Sequence, residues 1–207
     1  MPTIVLQNNS FNSMRIYKDI FFGDLLQQIQ DENKNLLVLA HCITADYKRI
    51  YSRISDSMSI KIIPVEYFLT FKDLIKSMLS ILNKRINIPK TIFFGENVSK
   101  IFFKEYLRTS IDLTNYMYFP LITNFIRNVN IERFILTYEN RAWENMCIMA
   151  IKKISPKTKI IGYQHTVVPK AATEVFIGKN EKIIKPLPDK VLTVGNISAQ
   201  IIDNYGN

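Results

Sequence analysis

Two histidines, two cysteines and six glycines are all that 207 residues contain of those types, and each scarcity excludes something. With few glycines and no low-complexity tract, the chain does not read as disordered. Neither GxGxxG nor GxxxxGKS/T occurs, so any nucleotide site here is of another kind. Cys42 and Cys147 lack close spacing, and both are expected to be reduced thiols. Two distant histidines without an HExxH pair give no metal site. No segment reaches the roughly 18 apolar residues of a membrane span. The start, "MPTIVLQNNS", lacks a basic end followed by an apolar stretch and is not read as a signal peptide. The expectation is a cytoplasmic protein.

What is present is apolar content and positive charge. The 47% hydrophobic fraction is enough for one sizeable core, or a large domain plus the start of another. The net charge is +9, and lysine thickens late, at Lys152, Lys153, Lys157, Lys159, Lys170, Lys179, Lys182, Lys185 and Lys190. Such a surface suits phosphate-bearing partners or an anionic membrane face; a plain solvated surface is the alternative. Nucleic acid is not expected, because these lysines are not interleaved with aromatics in a compact motif.

Apolar runs alternate with helical patterns along the chain. "NLLVLAH" (35–41) is a strand, followed by a helix over "TADYKRIYSRI". "MSIKIIPVEYF" returns to strand and ends at Pro64. "FKDLIKSMLSILNKRI" carries a helical stripe through Leu74, Ile75, Met78, Leu79, Ile81, Leu82 and Ile86. "KTIFFGE" reads as a strand closed by Gly95, and Asn97 can cap the helix "VSKIFFKEYLRTSI". A helix over 113–128 should be bent or divided by Pro120. Then come a strand "ERFILTY", a helix to Ile154, strands "KTKIIGYQH" and "DKVLTVG", and a last helix "NISAQIIDNYG". This alternation implies an α/β fold, doubly wound, with a mainly parallel Rossmann-like sheet.

Ligands of open parallel sheets bind outside the carboxyl ends of the strands. Those ends hold His41, Gly95–Glu96, Tyr138–Asn140 and Tyr163–Thr166. In "TYENRAWE", Glu139 faces the mouth without a structural role to explain it. Asn140 reads as the cap of the next helix or as a ligand contact. Arg141 can pair with Glu139 or Glu144, or reach a phosphate. Trp143 shares a helix face with Cys147, Ala150, Ile151 and Ile154 and so belongs to the core, or walls a sugar site. Glu144 suits the positive end of the helix or a substrate. In "IIGYQHT", Gly162 permits close backbone approach, and Gln164, His165 and Thr166 follow as amide, imidazole and hydroxyl. A neutral imidazole removes a proton from a hydroxyl, and a protonated one meets a phosphate; His165 could also be purely structural. The assignment is therefore His165 and Glu139 as catalytic residues, with Asn140, Arg141, Trp143, Glu144, Gln164 and Thr166 binding substrate.

With "TYENRAWE", then "IIGYQHT", then "LPDKVLTVGNISAQIIDNYG", the chain resembles bacterial surface-carbohydrate biosynthesis proteins with a GT-B glycosyltransferase-like fold. The likeness covers about Arg133 to Gly206. It implies that residues 1–188 form the amino-terminal, acceptor-side Rossmann-like domain. Residues 189–207 would then begin, or lead into, a second such domain of roughly a hundred residues or more. The sequence stops at Asn207, so the expectation is one half of a GT-B architecture. The implied function is sugar transfer from a nucleotide-activated donor to a glycan or lipid-linked acceptor, at the inner face of the membrane. The nucleotide-sugar is then a substrate, and neither a cofactor nor a metal is called for. The alternatives are a non-catalytic carbohydrate- or protein-binding module and a nucleotide-sugar epimerase-like enzyme.

Overall fold

The computed structural model of the chain describes residues 3–8, 21–32, 34–41, 60–83, 90, 92–101, 103–104, 113–168, 177, 183 and 185–205. The helix expected over "TADYKRIYSRI", together with Cys42, Lys170, Lys179 and Lys182, lies outside the described residues.

The strands are β1 (Thr3–Asn8), β2 (Leu36–His41), β3 (Lys61–Pro64), β4 (Ile92–Phe93), β5 (Glu96–Asn97), β6 (Arg133–Thr137), β7 (Lys159–Gln164) and β8 (Lys190–Thr193). Six of them form one all-parallel sheet in the order β3-β2-β1-β6-β7-β8. The helices are α1 (Leu25–Asp31), α2 (Phe71–Leu82), α3 (Leu113–Asn128), α4 (Ala142–Ile154) and α5 (Asn196–Tyr205). The fold is thus α/β on a parallel sheet, compatible with a Rossmann-like arrangement.

Side-chain alternation explains why the sheet is covered on both faces. Leu37 and Leu39 of β2, Phe134 and Leu136 of β6 and Ile160 of β7 enter one apolar cluster with α3 and α4. Their alternates Leu36, Val38, Ala40 and Ile135 enter a second cluster with Phe22, Leu26 and Ile29 of the α1 region. The continuous apolar run of β2 is what a strand buried on both sides requires.

Three local expectations are corrected. "KTIFFGE" does not enter the sheet. Its β4 pairs with β5 as a separate, exposed antiparallel hairpin. The hairpin turns at Phe94 and Gly95, whose φ values are 48° and 83°. Its apolar residues therefore mimic a core strand without being one. Asn97 does act as a cap, since its Oδ1 accepts from Ser99 N–H at 3.1 Å. Pro120 does not divide α3, which runs unbroken from Leu113 to Asn128. The missing proline N–H costs that helix one bond, while Tyr118, Leu121, Ile122, Phe125 and Ile126 are buried along it. The sequence puts the lead into a second domain at residue 189; in the structure Lys190–Thr193 pairs with β7 as the sixth strand of the same sheet.

That last strand is fastened by two bonds. Asp189 N–H donates to Ile160 O at 2.9 Å, and Asp189 Oδ2 accepts from Ile160 N–H at 2.8 Å. Next to it, Gly162 has no room for a side chain: a Cβ there would lie 2.8 Å from Tyr138 Cβ and Cγ and 3.2 Å from Pro188 Cγ. The close approach that Gly162 permits is made by the buried Tyr138 ring. Gly162→Ala should therefore destabilise the fold by about 2 kcal/mol through overpacking, and Gly162→Val by more. Chemical unfolding of both variants checks this; an unchanged midpoint would show that Tyr138 has a second place to go.

Candidate functional site

Because the strands are parallel, their carboxyl ends share one edge of the sheet. The strand order reverses between β1 and β6, the place where ligands of such sheets enter. The chain leaving β6 is Tyr138–Arg141, and the neighbouring chain leaving β7 is His165–Thr166. The two are tied together beyond the strands, with Tyr138 N–H donating to Tyr163 O at 2.9 Å.

Glu139 is the centre of the polar group. Its Oε2 accepts from Arg141 Nε at 2.9 Å, and its Oε1 accepts from the Thr166 hydroxyl at 3.1 Å. The pairing of Arg141 that the sequence leaves open is thus with Glu139. The arginine side chain remains 56% exposed and that of Glu139 25%, so this ion pair lies at the mouth. Gln164 is nearly sealed from solvent at 1% exposure. Its Nε2 donates to the Thr166 carbonyl and, at 3.2 Å, to the Thr166 hydroxyl. Gln164 therefore braces the residue that holds Glu139, while its buried Oε1 has no hydrogen-bond partner among the described residues.

His165 is half-buried and packs edge-on against Phe21, with ring centroids 4.4 Å apart. Its Nδ1 is buried and has no hydrogen-bond partner among the described residues. Among the described residues no carboxylate bonds this nitrogen to fix the tautomer.

Two expectations about the helix start are corrected. Asn140 is not the cap. It is buried and takes a left-handed conformation, φ 63°, which asparagine tolerates better than most residues. Arg141 occupies the cap position of α4. Glu144 is 2% exposed, so it faces inward, away from any ligand in the cleft. Its carboxylate accepts from Arg141 N–H at 2.8 Å and from Glu139 N–H at 3.0 and 3.1 Å. This third residue of the helix thus supplies the acidic half of a capping box and holds the whole Glu139–Arg141 turn. Burial pushes its carboxyl up to about 7, against the two backbone N–H bonds that favour the anion; the nearby Glu139 raises it further and Arg141 lowers it.

Trp143 packs against the core, its ring 5.4 Å from that of Tyr118. Cys147, Ala150 and Ile151 below it are fully buried, as their helical spacing predicts. Cys147 is a free thiol that burial holds well above its ordinary range, with Glu144 adding to the effect. Such a thiol is a poor nucleophile.

His41 belongs to a different part of the same edge. Its Nδ1 lies 3.0 Å from Glu66 Oε1, and its ring is 5.6 Å from Tyr118. Glu66 is a residue that sequence reasoning missed. The strand read in "MSIKIIPVEYF" ends at Pro64, which left "VEYF" without a structure; Val65–Phe68 is a turn of 3-10 helix. That turn brings Glu66 over His41, through the pairing of β2 with β3. Phe21 was missed likewise, since no motif marks the approach to α1. Among the described residues, no three His, Cys, Asp or Glu side chains group as metal ligands.

No family model matches this chain, and no curated protein does. Among solved structures it is similar to a T.th. threonine deaminase, at 10% identity and a TM-score of 0.23, over 78% of this chain and 44% of that one. It is similar to the same degree, 10% and 0.23, to the processed form of threonine deaminase isoform 2 from Solanum lycopersicum, over 77% and 36%. The chain spans less than half the length of either, and likeness at this level carries no argument about function.

Proposed function

We propose that the chain is a doubly wound, Rossmann-like half of a GT-B glycosyltransferase-like protein of bacterial surface-polysaccharide biosynthesis. It would supply the acceptor side of a reaction between a nucleotide-activated sugar and a glycan or lipid-linked acceptor, at the inner face of the membrane. The observation that carries this reading is the joined group Arg141–Glu139–Thr166, with His165 next in the chain, at the carboxyl edge beside the reversal of strand order. Such a transfer needs a base for the acceptor hydroxyl and positive charge for the leaving phosphate. The His165 imidazole answers the first need. Arg141 answers the second, with Glu139 setting its direction. The strand order and the apolar clusters on both sheet faces support the Rossmann-like part of the proposal.

A second reading is a carbohydrate-binding module without turnover. It is favoured by the state of Glu139, both of whose carboxylate oxygens are already engaged. A screen of nucleotide-sugars with acceptor glycans separates the two. The proposal expects turnover by a protein that carries a second Rossmann-like domain after residue 207, and little from residues 1–207 alone, because a GT-B reaction is assembled between two domains. Robust donor-dependent synthesis by residues 1–207 would refute the two-domain assignment. Ligand binding by the longer protein without turnover would favour the module.

A further inference from the structure

Helix α2 is oriented against its own amphipathicity. Phe71, Ile75, Met78, Leu79 and Leu82 fall at i, i+4, i+7, i+8 and i+11 and form one stripe. They are 76, 44, 47, 50 and 76% exposed. Its only buried residue is Ser77. Contiguous exposed apolar surface of this kind marks a surface that meets something.

The orientation is fixed by polar bonds. Thr70 and Asp73 form a capping box at the start of α2. Asn124 of α3 then donates through Nδ2 to Asp73 Oδ2 at 2.9 Å and to Phe68 O at 3.0 Å. Turning the apolar stripe inward would break the bonds from Asn124. The outward stripe is therefore a built feature of the helix.

We infer that the exposed stripe of α2 docks on an anionic lipid bilayer. The groove beside α2, lined by Asp73, Lys76, Ser77 and Ser80 with Thr123 and Asn124 of α3, takes in none of the five stripe residues. Lys72 and Lys76 are exposed and border the stripe on the Leu79 side. There their ammonium groups can reach lipid headgroups while the apolar residues enter the acyl boundary. Tyr67, 75% exposed in the turn before the helix, adds an aromatic of the type found at membrane interfaces. The net charge of +9 opposes pairing of two copies through this face and favours an anionic partner. No described helix is long and apolar enough to cross a membrane, so the contact lies on the surface.

The test is sedimentation of the full chain with phosphatidylcholine vesicles, with and without phosphatidylglycerol. Binding is expected with the anionic vesicles and should weaken with salt. Lys72→Glu with Lys76→Glu should lower the partition coefficient roughly twentyfold or more. Ile75→Gln, Leu79→Gln and Leu82→Gln together should abolish binding while leaving the melting temperature unchanged or higher, because the side chains replaced are exposed. Absence of wild-type binding would overturn the inference, as would equal binding by the triple variant. A wild-type dimer that the triple variant converts to monomer would also overturn it, by assigning the stripe to a second copy. The inference is independent of the transferase reading: vesicle binding without any sugar turnover would keep the one and lose the other.

Discussion

Glu144→Ala is expected to cost about 3 kcal/mol or more of stability. The side chain is almost wholly buried. Its removal leaves a cavity under the start of α4 and strips the Arg141 and Glu139 N–H groups of their acceptor. Each backbone donor left unsatisfied in a partly buried turn costs about 1–3 kcal/mol, and the lost volume adds to that. Glu144→Gln should be milder, since an amide oxygen can still accept from Arg141 while the amide nitrogen faces the other donor. Denaturant unfolding of both variants gives the comparison. An alanine variant as stable as the wild type would mean that the turn holds itself.

The same residue gives the fold a pH dependence of definite sign. Its carboxyl is raised from 4.5 to about 7 by burial, so between those values the folded state keeps a proton that the unfolded chain has lost. Stability from this group is then highest below about 4.5 and falls as pH rises to about 7. The full drop is on the order of 3 kcal/mol. Other carboxylates act in acid too, so the measurement is the difference between wild type and Glu144→Gln across that range. In the variant this component should be absent, and a constant difference between the two proteins would contradict the assignment.

In a protein that turns over a nucleotide-sugar, His165→Ala and Glu139→Gln should each lower kcat by roughly a hundredfold or more, the scale of losing a general base or the group that directs it. The melting temperature should stay within a few degrees. His165 gives up one edge contact with Phe21, and Glu139 gives up an ion pair at the mouth, worth about 1 kcal/mol or less. The glutamine oxygen can still accept from Thr166 or Arg141. Full activity in both variants would make these residues structural and would move attention to His41 and Glu66.

The parallel sheet was legible because strands buried on both sides must be continuously apolar, and "LLVLA" and "RFILT" are. The same rule misread "KTIFF", whose apolar residues serve an exposed hairpin. Hydrophobicity reports that a segment seeks contact, not which contact it finds. β1 went unrecognised because "TIVLQN" begins and ends in polar residues, and α1 because seven residues give too short a period. At the site, the meeting of Glu139 with Thr166 followed from strand direction alone. The inward turn of Glu144 did not, because an acidic residue in the first turn of a helix looks the same whether it faces water or the backbone N–H groups behind it. Asn140 was misplaced by one position, and only its left-handed backbone separates a turn residue from a cap. Glu66 depended on how β2 registers against β3, a long-range fact that no local pattern contains.

Of the six paired strands, the one made earliest stands in the middle of the sheet. Thr3 pairs with Leu36 on one side and with Arg133 on the other, so about 130 residues must be synthesised before the second neighbour exists. At roughly 5–20 residues per second on the ribosome, β1 waits on the order of ten seconds with one edge open. In that interval β1 and β2, with β3 once it has emerged, can form only half a sheet, the backbone N–H and C=O groups along its free edge left without strand partners. Long-range parallel pairing of this kind is slow to form and prone to association before it closes. The moment at which β6 leaves the exit tunnel is therefore the step that commits the nascent chain, and the edge that β1 later shares with β6 is the surface a chaperone would need to shield until then.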